Sequence, residues 1–135
     1  MRKAALVPML LGTALLGAGV AQAAPRGTPD TQLAKALQGR TAGKPVNCIR
    51  LMDIDTSQII DKTAILYTTR NGTVYVNRPT SGAEQLRSYY TLVTDTHTNQ
   101  LCSIDTVKLY DSASRISYGW VGLGDFVPYA KPRKG

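Results

Sequence analysis

The side chains in this sequence that could carry out acid–base or nucleophilic chemistry are few. His97 is the only histidine, which restricts acid–base catalysis near neutral pH. It lies in a stretch rich in Thr, Asp and Asn, a composition typical of a solvated loop. The residues available to a Ser-His-Asp site are Ser103 or Ser112 with Asp95 or Asp105. No nucleophile-elbow motif surrounds either serine, so we expect His97 to be a loop residue.

The carboxylates give no stronger indication of catalysis. Asp53 and Asp105 could form a pair for sugar hydrolysis, but exposure or pairing with Lys or Arg is the ordinary role of an aspartate at a strand end. Residues 53–57 begin like a calcium-binding loop, yet Gln58 and Ala64 occupy the places where such a loop needs Gly and Glu. We therefore predict a protein that is not an enzyme and has no metal site and no cofactor.

The two cysteines, Cys48 and Cys102, are predicted to form one structural disulfide. They are too far apart for a redox Cys-x-x-Cys pair, and no cluster of His or acidic residues beside them indicates a metal site. Closing a loop of this length constrains the unfolded chain by about 4 kcal/mol in the loop-entropy model.

Residues 1–23 have the pattern of a secretory signal peptide. Arg2 and Lys3 supply the positive start, residues 4–20 are apolar, and Ala21-Gln22-Ala23 provides a small-x-small cleavage motif. Pro and Gly residues within the apolar stretch, and its small-residue end, argue against a membrane anchor. We predict a periplasmic or secreted protein with no transmembrane segment after cleavage.

The charge of the chain does not favour nucleic acid as a partner. Cleavage after Ala23 would lower the formal net charge from +7 to +5 and leave 112 of 135 residues. Three of those five charges, on Lys131, Arg133 and Lys134, lie in a predicted basic tail at residues 130–135. The rest of the sequence mixes both signs and lacks the interleaved basic and aromatic residues of a nucleic-acid surface.

A β-hairpin over residues 63–78 organises the predicted fold. Asn71 and Gly72 both tolerate positive φ, which favours a two-residue type I′ turn between two β-rich segments. That turn would pair Thr69 with Val74 and Tyr67 with Val76. Apolar or aromatic residues on both faces indicate a hairpin inside a curled or packed sheet and not at an edge.

The remaining elements complete a mainly β fold, α+β at the margin. A flexible leader at 24–29 would precede a single domain at 30–129, which begins with a short helix capped at Thr28 and ended by Gly39. Further strands are predicted at 46–54, 89–94, 101–110, 116–120 and 125–129, with a turn at 55–62, a helical turn at 81–87 and bends or bulges at the glycines of 119–124. The predicted core includes Leu86, Met52 and Ile104. Short strands joined by turns predict a small antiparallel sheet, curled or barrel-like.

The aromatic residues are the most informative about binding. Seven tyrosines and one tryptophan stand against one phenylalanine, so most large rings carry a polar group. Tyr67, Tyr75 and Tyr110 are predicted to pack in the sheet with their hydroxyls at its rim. Tyr89, Tyr90, Tyr118 and Trp120 are candidates for a surface that contacts an envelope protein or a glycan. The alternatives are an inhibitor of an envelope hydrolase such as lysozyme, and a small hydrolase.

Five segments, in order, resemble a family of small exported Gram-negative bacterial proteins classed as a domain of unknown function. They are CIRL at 48–51, ID and AILY at 60–67, YVNRP at 75–79, LCSID at 101–105 and GLGDFVP at 122–128. The resemblance implies export and a single domain, but no catalytic residue or ligand. In that family we expect two further cysteines, near residues 82–83 and 118–119. Since this chain has neither, Cys48 and Cys102 could derive from one bridge or from two.

Overall fold

The computed structural model describes residues 27–132, together with the isolated positions Gly12 and Gly17. Within these residues the chain is mainly β, as predicted, with one α-helix and ten strands. The elements are α1 (Pro29–Ala36), β1 (Thr41–Ala42), β2 (Cys48–Arg50), β3 (Ile54–Ile60), β4 (Ala64–Thr69), β5 (Val74–Asn77), β6 (Thr91–Thr94), β7 (Gln100–Cys102), β8 (Thr106–Asp111), β9 (Ile116–Gly122) and β10 (Phe126–Ala130), with 3₁₀ turns at Leu51–Asp53 and Ala83–Gln85.

The strands form three antiparallel sheets. The largest has the order β1-β10-β5-β4-β3, a second pairs β2 with β7, and a third has the order β6-β8-β9. The strands of the described region do not close into a barrel. β3 and β6 are each paired on one side only, and this pair of free edges separates the largest sheet from the third.

The hairpin β4–β5 lies inside the largest sheet, but its predicted register is wrong by one residue. Thr68 pairs with Val74 and Tyr67 with Tyr75, so the loop has three residues and not two. Gly72 alone takes positive φ, +86°, after a turn closed by its N–H to the Thr69 carbonyl at 2.8 Å. This is a type I turn with a glycine bulge. The shift turns every β5 side chain to the face opposite to the one predicted.

The predicted strand at 46–54 is broken, and the predicted turn at 55–62 is mostly strand. After β2 the backbone makes a 3₁₀ turn at Leu51–Asp53 and then continues as β3. The interruption leaves Met52, predicted in the core, 57% exposed. The exposed polar residues of β3 obscured its strand character, because an edge strand needs few apolar side chains.

The second half of the chain also departs from the predicted boundaries. The segment at 101–110 divides into β7 and β8, and the turn between them carries Ile104, which is exposed and not in the core. β6 begins at Thr91, so Tyr89 and Tyr90 lie in the preceding turn. The predicted helical turn is present as the 3₁₀ turn at Ala83–Gln85, and Leu86 is fully buried. Gly82 and not Ser81 is its N-cap residue, and no side chain caps the turn.

Two apolar clusters cover the two faces of the largest sheet. The larger cluster lies between this sheet and the two smaller sheets, and includes Ile65, Tyr67 and Phe126. The smaller cluster lies on the opposite face and includes Leu33 of α1 together with Leu66 and Val76. Helix α1 is capped as predicted, since the Thr31 N–H donates to the Thr28 hydroxyl at 3.3 Å.

Two buried polar groups contrast within the core. The Asn77 side chain is fully buried and makes reciprocal bonds with Gly124, donating to its carbonyl at 2.7 Å and accepting from its N–H at 3.0 Å. The Tyr67 hydroxyl, predicted to reach the rim, is buried and has no hydrogen-bond partner among the described residues. Burial also raises the pKa of this phenol.

The terminal segments are described only in part. The predicted signal peptide at 1–23, apart from Gly12 and Gly17, lies outside the described residues, as do 24–26 and 133–135. The helix begins at Pro29 and β10 extends to Ala130, one residue beyond each predicted end of the domain. No helix in the described part of the chain is long and apolar enough to cross a membrane.

Candidate binding surface

The two aspartates considered for catalysis each have a local partner. Asp53 pairs with Arg50, with 3.8 Å between their charged atoms. Asp105 accepts a hydrogen bond from the Cys102 N–H at 2.7 Å. His97 lies in the loop between β6 and β7. No hydrogen bond or ion pair within residues 27–132 connects any two of Asp53, Asp105 and His97.

Cys48 and Cys102 form the disulfide, with their sulfur atoms 2.12 Å apart. The two cysteines are directly opposite each other on β2 and β7. The turn that follows, residues 103–105, is held by further hydrogen bonds: the Ser103 N–H donates to the Asn47 carbonyl at 2.7 Å, and the Asp105 N–H donates to the Cys102 carbonyl at 3.0 Å. We call this segment the Ile104 turn, because it presents Ile104 with 90% of its surface exposed.

The outer face of the third sheet carries Trp120, one of the residues predicted to form a binding surface. Val93, Lys108 and Trp120 pair across β6, β8 and β9 and therefore share that face. The Trp120 ring is 52% exposed, and the Lys108 ammonium lies 4.6 Å from its centroid. This cation–π contact contributes about 0.5–1 kcal/mol at an exposed site and restricts the orientation of the indole.

A β-bulge in β9 lies next to Trp120 and includes Tyr118, another of the residues predicted to form the binding surface. The register shifts between Lys108 and Tyr110, so that Tyr118 and Gly119 together lie opposite Leu109. Gly119 has φ of +93°, a conformation that favours glycine. The bulge confirms the prediction for this glycine, and bulges of this kind re-aim the side chains around them.

Tyr118 stacks against Tyr90, with 5.1 Å between ring centroids and 17° between ring planes. Tyr90 in turn meets the edge of Tyr89, with centroids 4.8 Å apart. We call these three residues the tyrosine cluster. Trp120 lies beyond the bulge on the outer face, and no ring contact among the described residues joins it to the cluster. We call the tyrosine cluster and Trp120 taken together the aromatic surface. Tyr90 also packs against the larger apolar cluster, whereas Tyr89 and Tyr118 are 63% and 42% exposed. Tyr90 thus connects the tyrosine cluster to the core, while Tyr89 and Tyr118 are accessible to solvent.

The surroundings of Tyr90 favour its neutral phenol. The pKa of Tyr90 is raised, first by partial burial and then by the neighbouring Tyr89 and Tyr118 hydroxyls, while Arg87 acts in the opposite direction. The cluster offers aromatic faces with hydroxyl groups at their edges, and each hydroxyl can donate or accept a hydrogen bond.

A groove of about 440 Å³ adjoins the tyrosine cluster at Tyr90 and lies between the free edges of β3 and β6. Ile59 and Leu92 provide its apolar part. Its polar part is formed by Gln32, Ser57, Gln58, Ser88, Tyr90 and Thr91. None of these lining residues is charged. We call this site the seam groove.

Sequence reasoning identified the aromatic residues but missed several of their neighbours. The cation–π partner Lys108 has no local pattern that marks it, since its contact depends on the register of β8 and β9. The polar side of the seam groove was missed because residues 55–62 were interpreted as a turn. The available signal was the β-branched content of this segment, Ile54, Thr56, Ile59 and Ile60, since its burial does not alternate.

The described part of the chain contains no group of three or more His, Cys, Asp or Glu side chains arranged to hold a metal ion. Comparison with protein-family models, with curated proteins and with solved structures finds no match for this chain.

Proposed function

We propose that this chain is an exported, non-enzymatic binding module that contacts an envelope protein or glycan through its aromatic surface. The observation that carries the proposal is the mutual ring contact of Tyr89, Tyr90 and Tyr118 at a solvent-exposed position. Large rings that are fixed before binding lose little conformational entropy when a partner covers them, and Tyr and Trp are enriched among the residues that dominate binding energy.

Two features support the exported and non-enzymatic parts of the proposal. The Cys48–Cys102 disulfide and the leader pattern at 1–23 fit an oxidising compartment. The carboxylate of Asp53 is engaged in an ion pair with Arg50, and that of Asp105 accepts a hydrogen bond from the Cys102 N–H.

A pull-down from envelope extracts tests the proposal. The mature protein should enrich a partner, and replacing Trp120 or Tyr118 with Ala should reduce that enrichment at least about tenfold, the effect of an interface residue worth more than 1.4 kcal/mol. Ile116→Ala is a matched control, since Ile116 is an exposed residue at the far end of the same strand. Absence of any enriched partner under several extraction conditions would contradict the proposal. Finding that the soluble protein in cells retains residues 1–23 would contradict the exported part of the proposal.

The Ile104 turn favours a second candidate function, an inhibitor of an envelope hydrolase such as lysozyme. A side chain that is 90% exposed on a turn fixed by a disulfide and by backbone hydrogen bonds can enter a cleft with little entropy lost. Excess mature protein should then slow lysozyme, and Ile104→Asp should relieve the inhibition while Ile116→Asp should not. Lysozyme rates that stay unchanged at excess protein would dispose of this candidate.

A further inference from the structure

We propose that the seam groove binds an uncharged oligosaccharide, with the tyrosine cluster extending the site at one end. This inference rests on the proposed binding function and names the chemical class of the ligand. The groove volume of about 440 Å³ lies within the roughly 300–1,000 Å³ of clefts that hold small ligands.

The charge of the lining is the first argument. The protein carries a formal net charge of +7, yet no Lys, Arg, Asp, Glu or His lines this groove. A phosphate or carboxylate ligand would ordinarily be met by Arg or Lys, which form charge-assisted bonds with such groups. The ligand for which this lining is suited is therefore neutral.

The side-chain chemistry is the second argument. Gln58, Ser57 and Thr91 offer amide and hydroxyl groups, each able to bond a sugar hydroxyl as donor or acceptor. No side-chain hydrogen bond to another group within residues 27–132 occupies these three, nor the Ser88 hydroxyl. The half-buried Leu92 adds apolar contact for the C–H face of a sugar ring, whereas the Ile59 side chain is buried in the larger apolar cluster.

The position of Tyr90 is the third argument. Tyr90 belongs to both the groove lining and the tyrosine cluster, so a chain leaving the groove at that end meets aromatic rings directly. Because Tyr90 is stacked on Tyr118, the exposed parts of Tyr118 and Tyr89 are the ones that remain available to a ligand. An oligomer that extends beyond one ring would thus contact both sites.

The free edges of β3 and β6 also offer backbone groups to an extended peptide. Peptide recognition at a sheet edge uses apolar pockets for alternate side chains, whereas this groove presents mainly amides and hydroxyls. The lining therefore favours the saccharide, and the peptide becomes an outcome of the test.

The test is an NMR titration of the ¹⁵N-labelled mature protein with tetra-N-acetylchitotetraose, with maltotetraose and with a negatively charged uronate tetramer. We expect one of the two neutral tetramers to shift the amide signals of residues 57–59 and 88–92 and the side-chain amide of Gln58. Gln58→Ala should weaken this binding about tenfold, the effect of one hydrogen bond. Gln100→Ala, at an exposed glutamine of β7, should leave it unchanged.

Three results would overturn the inference. The first is the absence of any shift when either neutral tetramer is added to about 10 mM, a concentration that would fill roughly 90% of a site with a Kd of about 1 mM. The second is binding of the uronate tetramer that equals or exceeds binding of the neutral tetramers. The third is amide shifts in both β3 and β6 on addition of an extended octapeptide, when no sugar causes them. The failures are distinguishable: if the pull-down still depends on Trp120 when neither sugar binds, the proposed function stands and this inference fails.

Discussion

The largest sheet and the third sheet use their two faces differently. In β4 and β5 nearly every side chain is buried, because apolar clusters cover both faces of the largest sheet. In β8 and β9 burial is confined to one face, and the other presents Trp120 and Lys108 to solvent.

We expect this difference to separate substitutions that affect stability from those that affect the proposed binding. Substitutions in β4 and β5 should act through folding, since they remove buried area or buried hydrogen bonds. Substitutions on the outer face of the third sheet should act on binding and leave the fold almost unchanged. The predictions that follow test this division, starting with the largest effect.

Ile65→Ala should give the largest loss of stability. Ile65 is fully buried in β4, and removing a buried aliphatic side chain costs about 3–4 kcal/mol. Its counterpart in the third sheet, Trp120→Ala, should cost less than about 1 kcal/mol, because it removes an exposed ring and one cation–π contact. Urea denaturation measures both. Equal losses in the two variants would break the comparison.

Asn77→Ala should destabilise the protein by about 2–3 kcal/mol, because it leaves the buried N–H and carbonyl of Gly124 without partners. The same substitution at Asn99, an exposed residue, serves as the control and should change the free energy of unfolding by less than about 0.5 kcal/mol. A neutral Asn77→Ala would show that the bend at 122–125 holds its position without this side chain.

Tyr67→Phe should stabilise the protein by about 1 kcal/mol, since it removes a buried hydroxyl that has no protein partner and keeps the ring against Phe126. Thermal unfolding followed by circular dichroism measures the change. Tyr75→Phe, at a half-buried position on the same face, is the control and should have almost no effect. A clear loss of stability in Tyr67→Phe would show that the hydroxyl is satisfied in solution.

The smallest effect concerns pH and the hairpin between β8 and β9. The pKa of Asp111 is lowered, first by the Ser114 hydroxyl and then by the Ala113 N–H, which donates to its carboxylate at 2.9 Å. The folded state therefore favours the charged form. This stabilisation is present above the unfolded pKa, near 4, and is lost as pH falls through the lower folded value.

Asp111→Ala should accordingly reduce stability slightly at pH 6 and make no difference near pH 2. Denaturation at both values, with exposed Asp95→Ala as the control, checks this expectation. A difference that grows towards low pH would have the wrong sign.

The sequence predicted the elements that local chemistry determines. The Thr28 cap with Pro29 is sufficient to begin α1, because both act within one turn. The hairpin was located correctly, but its register was not. A two-residue and a three-residue loop differ only in the conformation of Arg70 to Gly72, and Asn71 there accepts a bond from the Thr73 N–H at 3.1 Å instead of taking positive φ.

The errors at Met52 and Ile104 have one physical cause. Each apolar residue lies in an otherwise strand-like segment, and a pattern alone does not show where that strand is interrupted. Contacts between distant residues decide it: the Leu51 N–H bonds the Asn99 carbonyl, and the Leu123 N–H bonds the Asp105 carbonyl, both at 3.0 Å. The ring contacts of the tyrosine cluster were beyond prediction for the same reason, since they join residues 89–90 to residue 118.

The disulfide reports whether two distant segments of the chain have paired. Its two sulfurs belong to strands that flank β3 to β6, so the thiols come into register only when the intervening segment has folded back on itself. The fraction of polypeptide still carrying alkylatable thiols therefore reports how many molecules have not yet formed this pairing. A gel-shift assay after maleimide labelling at successive times would measure the rate at which this bond forms.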